Sequence, residues 1–212
     1  MRNDRVIWAT SMVACGDADG AVTGNTRRFG ASLEKIKQVV DVRDGEIMFG
    51  LNMVVHKGKT IFVGDTSVHE YPTSEQMAEI AISTARVVRL FGFEPKVAFV
   101  SHSTFGQPLT SRTKHIRKAV DILKEQKVDF EFDGDMQPDV ALNSEYKELY
   151  PFSNIVGKAN ILIMPGQHSA AISYKMMKTL GDTKVIGPLL IGLGLPIEIA
   201  PLRSSTSELI NL

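Results

Sequence analysis

The sequence predicts an α/β fold, a three-layer, mostly parallel sheet with helices on both faces. Short apolar runs that are typical of buried strands alternate with longer segments whose apolar residues recur every three or four positions, as they do in helices. Two apolar runs flank His56-Lys57-Gly58-Lys59, a pattern that favours one inserted antiparallel hairpin. Strands that are separated by helices form mostly parallel sheets with helices on both sides.

The same patterns place each element along the chain. Helices are expected at 4–15, 32–40, 73–92, 111–126, 138–148 and 168–180, and strands at 20–23, 46–55, 60–63, 96–100, 128–132, 160–164, 184–190 and 196–200. Thr73 and Gln76 have capping-box spacing at the start of the third helix. Hydroxyl side chains at 204–207 and an acid at Glu208 predict the start of a further helix. Because the sequence stops soon afterwards and enters a helix directly at its beginning, we expect a fragment of a longer polypeptide.

Composition excludes several classes of protein. The 212 residues carry 24 basic and 24 acidic side chains, which argues against nucleic acid or a membrane surface as the main partner. Cys15 is the single cysteine, so neither an intrachain disulfide nor a cysteine-rich zinc cluster can form. The sequence shows no signal peptide and no uncharged apolar run of the ~20 residues that cross a bilayer. We therefore expect a soluble, cytoplasmic protein.

Polar loops follow two of the predicted strands, at Ser101–Gly106 and Asp133–Asp139. In open α/β sheets, ligands bind just past the carboxyl ends of the strands, so both loops are expected at one site. Ser101, His102 and Ser103 offer hydroxyl and backbone donors to a carbonyl or phosphate group. His102 can equally be a structural histidine. A Ser-His nucleophile is not expected, because adjacent extended residues point in opposite directions and no Gly-x-Ser-x-Gly motif is present.

The acids of the second loop raise the question of a metal ion. Asp133, Asp135 and Asp139 do not fit the calcium-loop pattern, and Asp139 follows a proline that favours the first turn of a helix. We expect no metal there. The remaining histidines show no ligand spacing and are expected at the surface: His56, His69, His115 and His168.

A third polar loop, Gly24–Gly30, lies between a predicted strand and a helix. Its glycines and free amides can cradle a phosphate, which Arg27 and Arg28 can neutralise. Its spacing fits neither the Rossmann nor the P-loop motif, so an ordinary exposed loop is the alternative.

Five segments, taken in order, resemble the phosphate acetyl/butyryltransferases, and more closely the phosphotransacetylase-like C-terminal domain of bacterial NADP-dependent malic enzymes. They are IFVGDTSVHEYPTSEQMAEIAI, FVSHSTFGQP, FEFDGDMQPDVALN, VGKANILIMPGQHSAAISYKMM and VIGPLLIGLGLPIEI. The resemblance covers nearly the whole chain. It implies an isocitrate/isopropylmalate dehydrogenase-like fold with a cleft between two subdomains. Residues 17–171 would form the second subdomain, and residues 1–16 and 172–212 a remnant of the first.

The chain departs from the active transferases of this family in its catalytic residues. In those enzymes the resemblance implies an aspartate base for the thiol of coenzyme A and a Ser-Arg pair, with another arginine, for the acyl phosphate. The Ser-Arg pair falls here on Pro201-Leu202, the further arginine on Thr179 and the base on Glu208. Arg203 can compensate only through a register shift. The resemblance therefore implies a vestigial base at Glu208 and no transferase activity.

The resemblance implies instead a regulatory and oligomerisation domain of a malic enzyme, with acetyl-CoA or a related CoA ester as allosteric effector and self-association into a dimer or larger assembly. The NADP- and divalent-metal-dependent oxidative decarboxylation of malate to pyruvate would reside elsewhere in the parent chain, and no cofactor is expected in this segment. An active phosphate acetyl/butyryltransferase, which converts acyl-CoA and phosphate to acyl phosphate and CoA, and a purely structural dimerisation domain are the alternatives. The residues expected to line the cleft are Thr26, Arg27, Arg28, Ser101, His102, Ser103, Asp133, Asp135, Tyr174 and Lys175.

Overall fold

A computed structural model describes residues 4–212 of the chain. Its helices are α1 (Arg5–Ala14), α2 (Phe29–Ile36), α3 (Ser74–Leu90), α4 (Ser111–Gln126), α5 (Pro138–Leu142), α6 (Gln167–Leu180) and α7 (Thr206–Ile210), and a 3-10 helix lies at Ser144–Leu149. Its strands are β1 (Ala21–Gly24), β2 (Phe49–His56), β3 (Lys59–Gly64), β4 (Lys96–Val100), β5 (Glu131–Met136), β6 (Ile161–Ile163), β7 (Thr183–Ile191) and β8 (Ile197–Ala200).

The strands of this part of the chain form two sheets. One has six strands in the order β5-β4-β6-β3-β2-β7, and the other is the pair β1-β8. The pairs β4-β5, β4-β6, β3-β6 and β1-β8 are parallel, whereas β2 is antiparallel to both β3 and β7. The predicted α/β fold and the inserted hairpin are confirmed, and the six-stranded sheet is mixed whereas the β1-β8 pair is parallel.

Helices cover both faces of the large sheet. On one face, Phe62 and Phe99 pack with Met77 of α3 in a cluster that also includes residues of α4. On the other face, Leu162 packs with Ala170 of α6 in a cluster that also includes Ala141 of α5. The periodic apolar residues of α3 and α4 therefore bury one stripe against the sheet, as the sequence predicts.

A third cluster joins the small sheet to α1 and α2. Val6, Ile36 and Ile199 are buried in it, together with Leu190 near the end of β7. The strand pairing runs across the expected subdomain limits, because β1 pairs with β8 and β7 pairs with β2. The division of the chain at residues 16–17 and 171–172 itself stays a prediction.

The predicted strand at 128–132 is wrong in its bounds, because β5 begins at Glu131 and ends at Met136. Aspartate and glycine are rare in strands, which favoured a loop after Phe132. The predicted helix at 138–148 is divided between α5 and the 3-10 helix. The capping box of α3 is confirmed, since Thr73 and Gln76 exchange hydrogen bonds of 2.8 and 3.1 Å. Within residues 4–212, no helix is long and apolar enough to cross a membrane.

Candidate functional site

A cleft of about 430 Å³ lies at the carboxyl ends of β1, β3 and β8. Parallel strands β1 and β8 end side by side and are followed by Arg28 and by Pro201-Leu202, which form one wall. The facing wall consists of α6 and part of β7. The residues that line the cleft are Arg28, Phe29, Thr66, Ser67, Gln167, Ala171, Tyr174, Lys175, Lys178, Val185, Gly187, Pro188, Pro201 and Leu202.

The cleft is positively charged. Arg28, Lys175 and Lys178 line it, and no acidic side chain is among the lining residues in the described part of the chain. Tyr174 is half-buried beside them, and burial raises the pKa of its hydroxyl above the ordinary value of 10.0. Cations that line a concave surface concentrate the positive potential, so this geometry favours an anionic ligand.

The structure separates the two arginines of the Gly24–Gly30 loop. Arg28 reaches the cleft, whereas the guanidinium of Arg27 lies 3.5 Å from the carboxylate of Asp4. Thr26 closes the turn after β1, where its N–H donates to the carbonyl of Gly24 at 2.7 Å. Of the three residues expected to hold a phosphate here, Arg28 is the one that lines the cleft.

The serines after β4 lie against β5 and do not line the cleft. Ser103 is buried and its hydroxyl donates to the carboxylate of Asp135, which also accepts from the N–H of Gly106 at 3.0 Å. The hydroxyls of Ser101 and Ser103 lie 3.2 Å apart. His102 is exposed, and its carbonyl accepts from a side-chain amide. This loop forms a buried polar network that holds β4 to β5.

The carboxylate of Asp133 is likewise used within the fold. It accepts from the N–H groups of Gly134 at 2.9 Å and Asn154 at 2.7 Å. Such hydrogen bonds allow a charged residue to occupy a buried strand. Asp139 lies in the first turn of α5 after Pro138, as predicted. In residues 4–212, no group of three or more acidic, histidine or cysteine side chains has the arrangement of a metal site.

Sequence reasoning missed Asp65, the carboxylate that organises the turn after β3. Asp65 is 2% exposed. Its oxygens accept from the N–H groups of Gly50 at 2.9 Å, Ser67 at 2.8 Å, Val68 at 3.1 Å and His69 at 2.7 Å. The imidazole Nδ1 of His69 lies 2.7 Å from the same carboxylate. The signal that could have found it is the polar run that follows an apolar strand at Gly64.

The predicted surface position of the histidines is correct for His115 and His168, which are exposed, and wrong for His56 and His69, which are half-buried. The His69 side chain is 18% exposed because it packs on Asp65. His56 is half-buried, and its Nδ1 lies 2.9 Å from the hydroxyl of Thr183. His115 is exposed but lies 2.9 Å from the carbonyl of Pro72. These imidazoles mainly hold neighbouring segments in place.

Glu208, the expected vestigial base, is bound to Lys178, one of the residues that line the cleft. The hydrogen bond from Lys178, together with one from Ser205, lowers the pKa of Glu208 to about 2. A carboxylate with this pKa is a weak general base at neutral pH. Arg203 is not among the residues that line the cleft.

Glu198 on β8 gives the folded chain a pH dependence. Burial raises the pKa of Glu198 from 4.5 to about 7, although the N–H of Leu190 donates to it at 2.9 Å. Since the folded state binds the proton more tightly, stability falls as the pH rises from the unfolded pKa through 7. We expect Glu198→Gln to raise the free energy of unfolding by about 2 kcal/mol at pH 8 and to change it little at pH 4. Urea denaturation at both pH values checks this, and an equal effect at both would contradict it.

The fold and the cleft place this chain among α/β domains that have a cationic cleft between a mixed sheet and a short pair of parallel strands. The chain belongs to the phosphate acetyl/butaryl transferase family, which matches residues 1–212.

Two kinds of relative share this domain. An NADP-dependent malic enzyme of Rhizobium meliloti (strain 1021) is 46% identical over 212 residues, and the match covers the whole chain and 28% of that protein. A phosphate acetyltransferase of Clostridium acetobutylicum is 32% identical over 222 residues, a match that covers the whole chain and 66% of that protein. The chain therefore spans less than a third of the malic enzyme and about two thirds of the transferase.

Solved structures show the same fold. A phosphotransacetylase from Streptococcus pyogenes superimposes with a TM-score of 0.88 at 28% identity, over 95% of this chain and 63% of that one. The EutD phosphotransacetylase from Staphylococcus aureus gives a TM-score of 0.84 at 26% identity, over 97% of this chain and 64% of that one. The likeness to phosphotransacetylases expected from the sequence is confirmed.

Proposed function

We propose that this chain is the regulatory and oligomerisation domain of an NADP-dependent malic enzyme, and that it binds acetyl-CoA or a related CoA ester in the cleft as an allosteric effector. The observation that carries the proposal is the cationic cleft formed by Arg28, Lys175 and Lys178. The similarity of the whole chain to part of a malic enzyme supports the parent. Oxidative decarboxylation of malate to pyruvate, with NADP and a divalent metal, belongs to the remainder of that parent.

The lining of the cleft suits a CoA ester. Its three cations match the several phosphate charges of coenzyme A, and charge-assisted hydrogen bonds to phosphate are stronger than neutral ones. Phe29, Val185 and Pro188 supply apolar surface for the uncharged arm of the ligand. The volume of about 430 Å³ lies in the range of small-molecule sites.

We propose that the domain does not catalyse acyl transfer. Pro201 and Leu202 line the cleft where the resemblance implies a Ser-Arg pair, and their side chains carry no hydrogen-bond donor. Glu208 is held by Lys178. Loss of donors that stabilise transition-state charge costs roughly two to four powers of ten in rate. CoA-dependent release of phosphate from acetyl phosphate by this chain would contradict the proposal and favour an active transferase.

Arg28→Ala is expected to weaken acetyl-CoA binding about tenfold, because it removes one charge-assisted contact from the cleft. Isothermal titration calorimetry measures the change. The matched control is Arg27→Ala, one residue away, since Arg27 pairs with Asp4 outside the cleft. We expect the control to bind like the wild type. Equal losses in the two variants would show that the cleft described here is not the binding site.

Self-association, a cytoplasmic location and the dehydrogenase-like arrangement in two subdomains complete the proposal. Three apolar side chains on one side of α6 are more than half exposed, and assembly with a second copy would cover them: Ile172, Met176 and Leu180. Size-exclusion chromatography with light scattering tests the assembly. A monomer at all concentrations would contradict it.

A further inference from the structure

Lys178 differs from the other two cations of the cleft because it already has an anionic partner. It lies on the last turn of α6, one turn after Lys175, so that both side chains reach the same wall. The ammonium of Lys178 donates to Oε1 of Glu208, and the two side chains are 48% and 31% exposed. In the described part of the chain, neither Arg28 nor Lys175 forms an ion pair. The cleft therefore offers two unpaired cations and one paired cation.

Glu208 is also part of the helix that follows the cleft wall. Its Oε2 accepts from the N–H of Ser205 at 2.7 Å and from the hydroxyl of Ser205 at 2.9 Å, which completes the capping box of α7. No residue of Thr206–Ile210 is buried, so packing holds this helix only weakly. The ion pair with Lys178 ties α7 to α6.

We infer that Glu208 is an internal competitor for the anion site, and that a polyanionic ligand bound at Arg28 and Lys175 takes Lys178 from Glu208 and releases α7 from α6. This inference rests on the proposed binding of an anionic ligand in the cleft. It adds that Glu208 sets the affinity of that site and that α7 responds to the bound ligand.

The chemistry of the pair suits such an exchange. Glu208 remains a carboxylate at neutral pH, since the hydrogen bonds from Lys178 and Ser205 lower its pKa to about 2. An ion pair as exposed as this one is weak in water. A pyrophosphate group carries more negative charge than one carboxylate and meets two further cations in the same cleft, so it competes effectively for Lys178.

The test is a titration of the 212-residue chain with acetyl-CoA and, separately, with inorganic pyrophosphate. Glu208→Gln is expected to bind both probes about three- to tenfold more tightly, because the competitor is removed. Lys178→Met is expected to bind about tenfold more weakly, and adding Glu208→Gln to it should have no further effect. Glu75→Gln is the control, since Glu75 forms a similar exposed ion pair with Lys118 and neither residue lines the cleft. We expect its affinity to equal that of the wild type.

Hydrogen exchange of the peptide that contains α7 supplies a second readout. Ligand should speed the exchange of its amides in the wild type and should add little in Glu208→Gln, where the tie to α6 is already absent. If the wild type bound acetyl-CoA and Glu208→Gln bound it no more tightly, the inference would be overturned and the proposed function would stand. If pyrophosphate bound and acetyl-CoA did not, and if Glu208→Gln bound pyrophosphate more tightly, the inference would be supported and acetyl-CoA would be excluded as the ligand. No binding of either probe to either protein would overturn both.

Discussion

Asp65→Asn is expected to lower the free energy of unfolding by about 3 kcal/mol. The buried carboxylate accepts from four backbone N–H groups and faces the imidazole of His69. An asparagine has one acceptor oxygen, and its NH₂ group would point at donors. The asparagine oxygen can keep the three N–H groups that share Oδ1, but the N–H of His69, which is bound to Oδ2, would lose its acceptor. Urea denaturation at pH 7, followed by circular dichroism, measures the loss.

The matched control for this experiment is Asp129→Asn. Asp129 is 78% exposed and forms a surface ion pair of 3.1 Å with Arg89. We expect a change within about 0.5 kcal/mol, as exposed pairs contribute little. Asp65→Asn should also weaken acetyl-CoA binding, because the turn it fixes presents Thr66 and Ser67 to the cleft. A loss of stability no greater than that of the control would show that the hydrogen bonds of Asp65 do not hold the turn.

The elements that the sequence predicts well are those with strong local signals. β4 and α4 lie at the predicted residues 96–100 and 111–126. An apolar run defines the first, and a capped segment with apolar residues every three or four positions defines the second. For β5 the local signal predicted a loop, because aspartate and glycine are rare in strands. Its acids fit into a strand because they accept hydrogen bonds from distant residues such as Asn154 and Gly106.

The candidate site was predicted less well than the fold, because it depends on contacts between distant parts of the chain. Arg27 and Arg28 are adjacent and chemically identical, and only the path of the backbone after β1 decides which one reaches the cleft. Lys175 was predicted to line the cleft, but Lys178 was not. Helical spacing shows that the two lysines share a side of α6, but it does not show what that side faces. The pairing of β1 with β8, which builds one wall, leaves no trace in the pattern of either strand.

That pairing makes Gly24→Ala the second substitution with a large expected effect. Gly24 has a φ of +94°, and a Cβ at this position would lie 2.3 Å from the carbonyl oxygen of Ala200. Because the Cβ is fixed directly to the backbone of β1 and the oxygen belongs to the backbone of β8, neither can move without parting β1 from β8. We expect the free energy of unfolding to fall by about 3 kcal/mol, measured by urea denaturation.

Gly30→Ala is the control, since Gly30 lies in α2 and a Cβ there meets no atom within 4 Å. We expect it to raise the free energy of unfolding by about 0.5 to 1 kcal/mol, because alanine favours the helix. The comparison of Gly24→Ala with Gly30→Ala also separates an effect on stability from an effect on binding. Arg28 follows β1 and Pro201 follows β8, so parting the strands by Gly24→Ala should weaken acetyl-CoA binding even in the folded protein. If Gly24→Ala bound as tightly as Gly30→Ala, the wall formed by β1 and β8 would not be part of the site.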